Sequence, residues 1–259
     1  MTKLEKLIKL NQLLLDDMPG YQVQAKKFTL TEEAQWRLFR SLVNVREPRP
    51  ISEEFIKLQN AFLQEEIKNK GITDSSNLTP VRDKIYLWQG DITTLQTDAI
   101  VNAANSGMTG CYRPLHGCID NAIHTFAGVQ LRLECAEIME KQDFAEPTGK
   151  AKITKAYNLP SKYVIHTVGP IVSGRLTQEA CDLLAACYRS CLEQAVQEQL
   201  SSIAFCCIST GEFGFPNRRA AEIAVETVTD YLKETGSSIK VVFNVFKEED
   251  YCIYQKLFN

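Results

Sequence analysis

The chain has 259 residues, 44% of them hydrophobic and 24% charged, which suits one well-filled core with an appendage. A net charge of -3 offers no basic field for a nucleic-acid backbone, and that excludes duplex binding as the main role. The cysteine count, nine, is odd; Cys187, Cys191, Cys206 and Cys207 lie inside apolar helix or strand patterns and read as small buried hydrophobes in a reducing, cytoplasmic setting.

The first residues keep charges at Lys3, Glu5, Lys6 and Lys9, so neither a secretory signal nor a membrane span is expected there. Leu4, Leu7, Ile8, Leu14 and Leu15 fall at helical spacing. Ala34, Leu38, Leu42 and Val45 do so again after Thr31, and Phe55, Ile56, Leu58, Phe62 and Ile67 after Ser52, both good helix starts. No ligand cluster appears in this part. Residues 1–78 are therefore expected to form a helical extension, and 79–259 the main domain. The turn-rich stretch 71–77 marks the break.

After the break the pattern alternates. Strands are expected at 84–88, 99–101, 151–154, 163–167, 203–208 and 239–246. Helices are expected at 119–140, 177–199 and 217–235, with a short one at the end. Such alternation predicts an α/β layered domain around a largely parallel, buried sheet. Ligands of these sheets bind beyond the carboxyl ends of the strands. That rule selects Gly90-Asp91-Ile92, the loop after Ala104, the loop after Ile208, and Phe246.

The loop after Ala104 carries Cys111, His116 and Cys118, spaced Cys-x4-His-x-Cys. Thiolate and imidazole together favour zinc over calcium or magnesium. Gly110, Pro114 and Gly117 let the loop fold sharply enough to gather three ligands. Three local ligands leave a fourth position for water or substrate, as catalytic zinc sites do. A fourth ligand from elsewhere, or three ordinary loop residues, are the competing readings. The loop after Ile208 holds Ser209, Thr210, Gly211, Glu212 and Phe213 ahead of a helix, an arrangement that can cradle a phosphate on backbone N–H groups. It is neither a Walker loop nor a G-x-G-x-x-G fingerprint, and many such loops are only tight turns.

Together these stretches resemble a macrodomain, the ADP-ribose-binding fold. The matching segments are Gly90-Asp91-Ile92, then residues 98–105 ending at Asn105, then residues 117–124 with Asp120 and His124, then residues 208–216, and they span about residues 80–259. The resemblance implies a three-layer α/β/α macrodomain with a mixed, largely parallel central sheet. Many macrodomains carry a glycine run where this chain has the Cys/His loop. That departure, with the helical extension, looks like a zinc-dependent bacterial branch of ADP-ribosyl hydrolases.

From the resemblance, Asp91 would accept from the adenine amino group and the Ile92 N–H would reach the adenine or adjacent phosphate. Ser209, Thr210, Gly211, Glu212 and Phe213 would hold the phosphates, Phe246 would pack on the adenine, and Asn105 and Asp120 would serve the proximal ribose. Asp91 and Asp120 can instead be turn or helix caps, Phe246 a core aromatic, His124 a packed side chain and His166 a satisfied core histidine. The implied partners are a mono-ADP-ribosylated protein, by analogy a lipoyl-carrier of the glycine-cleavage H type, and a class M sirtuin that modifies it. A monomer that engages neither nucleic acid nor membrane is expected. Three roles compete for the loop: an open zinc in a hydrolase releasing ADP-ribose from acidic side chains, a zinc staple in a non-catalytic reader, and a Cys111 or Cys118 nucleophile paired with His116.

Overall fold

The structure is a computed structural model that describes residues 1–259. Four helices come first: α1 (Lys3–Asp17), the short α2 (Gln22–Ala25), α3 (Glu32–Val45) and α4 (Glu53–Lys70). Thr2, Thr31 and Ser52 cap α1, α3 and α4 by accepting a backbone N–H three residues on, and Glu5 completes a capping box. Leu7, Leu10, Leu14, Leu38, Phe39, Leu42, Phe55, Phe62 and Leu63 close a hydrophobic cluster of their own. Trp36 lies against Phe39, Phe62 and, from the main domain, Phe126.

The main sheet is built from β2 (Pro80–Arg82), β3 (Ile85–Gln89), β5 (Ala99–Ala104), β6 (Ala151–Lys155), β7 (Tyr163–Val168), β8 (Ser202–Phe205) and β9 (Lys240–Val245). Their order is β2-β3-β9-β8-β5-β7-β6, parallel throughout except for the two edge strands β2 and β6. Two further short strands, β1 (Thr73–Asp74) and β4 (Leu95–Gln96), pair in parallel, so the turn-rich break is stitched back onto the main domain. Helices α7 (Gln178–Gln197), α8 (Asn217–Thr235) and α9 (Glu248–Phe258) cover one face of the sheet, α5 (Ile119–Ala127) and α6 (Val129–Gln142) the other. This is the expected three-layer α/β/α arrangement, and α3 and α4 pack on α5 outside it. The central strands are apolar on both sides because helices bury both faces.

The expected single helix over 119–140 is two helices. Gly128, at φ 95° and ψ 172°, separates α5 from α6, in a backbone region that only glycine occupies readily. A Cβ there would also meet Gln59 Nε2 at 2.6 Å. Strand 203–208 is shorter than expected, ending at Phe205, because Cys206 and Cys207 already turn toward the loop. The nine cysteines are all free, and Cys187, Cys191 and Cys206 are buried as small hydrophobes. No helix is long and apolar enough to cross a membrane.

Candidate active site

Strand order explains how distant segments meet. In the run β3-β9-β8-β5, the carboxyl ends lead in turn to Asp91, to Phe246, to the Ser209–Phe213 loop and to Asn105 with the Cys/His loop. They line one cleft of about 750 Å³, within the size range of small-ligand sites. Every residue expected at the site from the sequence borders this cleft: Asp91, Ile92, Asn105, Cys111, His116, Cys118, Asp120, Ser209, Thr210, Gly211, Glu212, Phe213 and Phe246.

At the β3 end, Asp91 caps a short 3₁₀ turn, accepting from the Thr93 N–H at 3.0 Å and the Thr93 hydroxyl at 2.6 Å. Its other oxygen takes Lys70 Nζ of α4 at 2.7 Å. Burial raises its pKa, but Lys70 and Thr93 outweigh that and hold the carboxyl below its usual range, so it is an anion and an acceptor. Sequence reasoning had no signal for Lys70, whose partner lies 21 residues on. Phe246 is 75% exposed and offers an open ring face to the cleft, which removes the core-aromatic reading.

The loop after β8 is held by its own backbone. Phe215 N–H donates to Ser209 C=O at 3.0 Å, Gly214 N–H to Gly211 C=O at 3.1 Å, and Val172 N–H to Phe213 C=O at 2.7 Å. Ser209 has φ 64°, an uncommon conformation for serine. A Cβ on Gly169 would come within 2.0 Å of the Ser209 hydroxyl, so the turn rests directly on bare backbone. The N–H groups of Thr210, Gly211, Glu212 and Phe213 have no protein acceptor and stand ahead of the α8 N-terminus. An anion is their natural complement.

At the β5 end, the ligand atoms of Cys111, His116 and Cys118 all lie within 4.8 Å of one another. Cys111 Sγ is 3.5 Å from His116 Nδ1. Tetrahedral zinc with ordinary Zn–S and Zn–N bonds would set that separation at about 3.5 Å. The donor set and its spacing therefore fit zinc, with Nδ1 as the ligand nitrogen. His116 Nε2 points the other way, 3.2 Å from Arg113 Nη1 and 3.3 Å from Glu212 Oε1, while Arg113 reaches Glu212 at 3.5 Å. Glu212 thus spans from the loop after β8 to the histidine, a contact the spacing of the motifs did not foretell. Glu212 can only accept from Nε2 and Arg113 can only donate to it, so it is the Glu212 contact that leaves Nδ1 open to a metal.

Cys118 caps α5 by accepting from the Asn121 N–H at 3.4 Å. Burial pushes its thiol up to about 12, the Asn121 N–H opposes this, and negative charge on Cys111 and Asp120 adds to it. Without a cation it is a neutral thiol at pH 7, which argues against a free nucleophile. A divalent ion would reverse that balance.

Asp120 is buried, accepts from Asn102 Nδ2 at 2.8 Å and lies 3.4 Å from Asn105 Nδ2. Burial pushes it up to about 6, against the pull of Asn102, Arg132 and Asn105. Asn105 also donates to the Gly110 C=O at 3.1 Å and accepts from the Gly107 N–H at 3.0 Å, so it braces the loop as well as facing the cleft.

His124 and His166 behave as interior residues. His166 Nδ1 meets Asn102 Nδ2 at 3.1 Å and Nε2 meets Thr154 Oγ1 at 2.9 Å, as expected of a satisfied core histidine. His124 is buried, 3.5 Å from Asp120, and forms the wall on which Gly110 sits; a Cβ on Gly110 would strike its ring at 2.8 Å. Cys135 joins these two histidines within metal-binding reach. The asparagine already takes the His166 Nδ1 lone pair, which leaves the proton on Nε2, and burial keeps Cys135 a thiol. Asn102 and Thr154 satisfy His166, while neither ring nitrogen of His124 has a hydrogen-bond partner.

Comparison with known proteins agrees with this geometry. The Macro domain sequence profile matches residues 101–224. A protein-ADP-ribose hydrolase of Treponema medium is 55% identical over 261 residues, covering 99% of each chain. One from Staphylococcus aureus (strain MRSA252) is 55% identical over 232 residues, 88% of this chain and 86% of that one. The crystal structure of the Trypanosoma brucei macrodomain in complex with ADP-ribose superposes with a TM-score of 0.66 at 33% identity, covering 85% of this chain and 95% of that one. The cleft at the carboxyl ends of a β3-β9-β8-β5 run, the matched profile and these relatives lead to one conclusion: the chain belongs to the macrodomain family.

Proposed function

We propose that the protein is a zinc-dependent hydrolase that releases ADP-ribose from mono-ADP-ribosylated protein side chains. It is an enzyme of the class for which its 55%-identical relatives are named, protein-ADP-ribose hydrolase. The observation that carries the zinc reading is the convergence of Cys111, His116 and Cys118 within 4.8 Å at the wall of the cleft, beside Asn105 and Asp120.

The remaining roles follow from position. Asp91 accepts from the adenine amino group and the exposed Phe246 ring stacks on the base. The free N–H groups of residues 210–213 take the diphosphate. That order leaves the proximal ribose at the β5 end, beside Asn105 and Asp120. Zinc held there supplies Lewis-acid polarisation of an oxygen at the reacting centre. Asp120, buried and poised near neutral, is suited to take a proton from the attacking water.

Acidic acceptor side chains are the preferred substrates. A carboxylate leaves without needing a proton at pH 7, whereas a guanidine leaving group must be protonated as it departs. The resemblance points to a lipoyl-carrier of the glycine-cleavage H type, modified by a class M sirtuin, as the first acceptor to try.

The test measures zinc content and ADP-ribose release together, in the parental protein, in chelator-treated protein and in Cys118→Ala. Expected is loss of zinc with a fall in kcat of at least ~10²-fold, while ADP-ribose binding persists. A zinc-free Cys118→Ala protein that turns over at the parental rate would overturn the zinc role. Tight ADP-ribose binding with no turnover of any linkage would make the protein a reader instead.

A further inference from the structure

The Cys/His loop has little structure of its own. Between Ala104 and Ile119 it contains no helix or strand, and its internal backbone bonds are Met108 N–H to Asn105 C=O at 2.9 Å and His116 N–H to Arg113 C=O at 3.3 Å. Two of its non-glycine residues, Met108 and Leu115, sit at φ 57°. Each such residue is strained relative to ordinary backbone. Something outside the loop must hold it.

That support comes from α3, in the helical extension. Asn44 Oδ1 accepts the N–H of Leu115 at 3.0 Å, the strained residue itself. Arg40 Nη2 donates to the His116 C=O at 2.7 Å. The main chain is therefore pinned at the N–H of Leu115 and again at the C=O of His116, one residue on. Arg40 and Asn44 are four residues apart, on one helix face. Arg40 also donates to Asn121 Oδ1 at 2.7 Å, and Asn121 passes the restraint on: its Nδ2 donates to Arg113 C=O at 3.1 Å and its N–H to Cys118 Sγ. Asn44 is 1% exposed and its Nδ2 is anchored on Thr125 Oγ1 at 3.1 Å, so it cannot swing away.

We propose that α3 is a working part of the metal site: Arg40 and Asn44 are positioning residues that keep the 106–118 loop in the conformation that gathers Cys111, His116 and Cys118. The inference rests on the zinc reading above for its purpose, but the restraint itself belongs to the chain with or without metal. Lysine could replace the charge of Arg40 but not its fork, which serves His116 and Asn121 at once. Supports of this kind typically alter metal affinity by 10–100-fold when removed.

The experiment uses full-length Arg40→Ala, Arg40→Lys and Asn44→Ala proteins. Leu10→Ala serves as a control, because it removes a fully buried leucine from the extension's own hydrophobic cluster and leaves the bonds to the loop in place. Zinc affinity is read by competition with a chromophoric chelator, ADP-ribose affinity by calorimetry, and amide exchange of the metal-free loop by mass spectrometry. Expected are a zinc affinity lowered about 10–100-fold in Arg40→Ala and Asn44→Ala, partial recovery in Arg40→Lys, unchanged ADP-ribose affinity, and faster exchange at Leu115 and His116. Leu10→Ala should lower the melting temperature yet keep zinc affinity and loop exchange. Parental zinc affinity and parental loop exchange in the two alanine variants would overturn the proposal, as would equal zinc loss in Leu10→Ala. A parental protein that binds no zinc would sink the zinc reading alone, because exchange in the metal-free loop still decides whether α3 holds it.

Discussion

His166 is fully buried, and burial lowers its pKa from 6.5 to about 3. His124 is shifted the same way, by burial first and by the charges of His166 and Arg132 after it. Both rings are neutral in the folded chain, whereas the unfolded chain protonates them below about pH 6.5. Between pH 6.5 and 3 the unfolded state therefore binds more protons. Stability from this source is complete above pH 6.5 and is lost as the pH falls toward 3. Replacing His166 by Gln should flatten the dependence of unfolding free energy on pH between 4 and 6 by up to ~1.4 kcal/mol per pH unit. Urea melts across that range measure the slope, and an unchanged slope would mean that His166 is protonated in the fold. Cys111, His116 and Cys118 could be picked out in the sequence because Cys-x4-His-x-Cys is a local pattern. Lys70 on Asp91 and Glu212 on His116 were not, because a side-chain contact across dozens of residues leaves no mark in spacing.

Helices and strands were readable from apolar period and caps, and the α8 limits, Asn217–Thr235, match the expected ones. The single helix expected over 119–140 failed at Gly128, because a lone glycine within a helical pattern does not reveal its φ. Gly128 also faces Gln59, Gln130 and Asn158, so the break is where the extension meets the main domain. Gly128→Ala is expected to destabilise the protein by about 1–3 kcal/mol, since alanine pays for both the backbone region and the collision. The shift in urea midpoint at constant m-value is the measurement. The pinning of the metal loop by α3 was equally hidden. Arg40 and Asn44 read as ordinary helix-face residues, and only the packing of α3 on α5 brings them to His116 and Leu115.

The α/β class was legible because alternating elements admit few topologies, and the rule about strand carboxyl ends chose the right loops before any contact was known. The order of the strands was not legible, and it is what sets Asp91 and the Cys/His loop at opposite ends of one cleft. The extension reaches both ends: Lys70 at Asp91 and Arg40 at His116. Arg132 of α6 joins the two parts a third time. Its Nη1 donates to the carbonyls of Val43, Asn44 and Arg46 at 3.0, 2.8 and 2.6 Å, where α3 ends, and its guanidinium lies 4.3 Å from the Tyr112 ring. Separating the parts would exchange these three buried hydrogen bonds of a 4% exposed cation for contacts with water. The chain holds two tryptophans, Trp36 among the helices of the extension and Trp88 on β3, so Trp36→Phe and Trp88→Phe each leave one reporter. Both reporters should melt at one denaturant concentration; two separated midpoints would show independent units. If they coincide, protein turnover is all-or-none: a protease cannot trim the leading helices and leave a competent remnant, since the first cut commits the whole chain to loss.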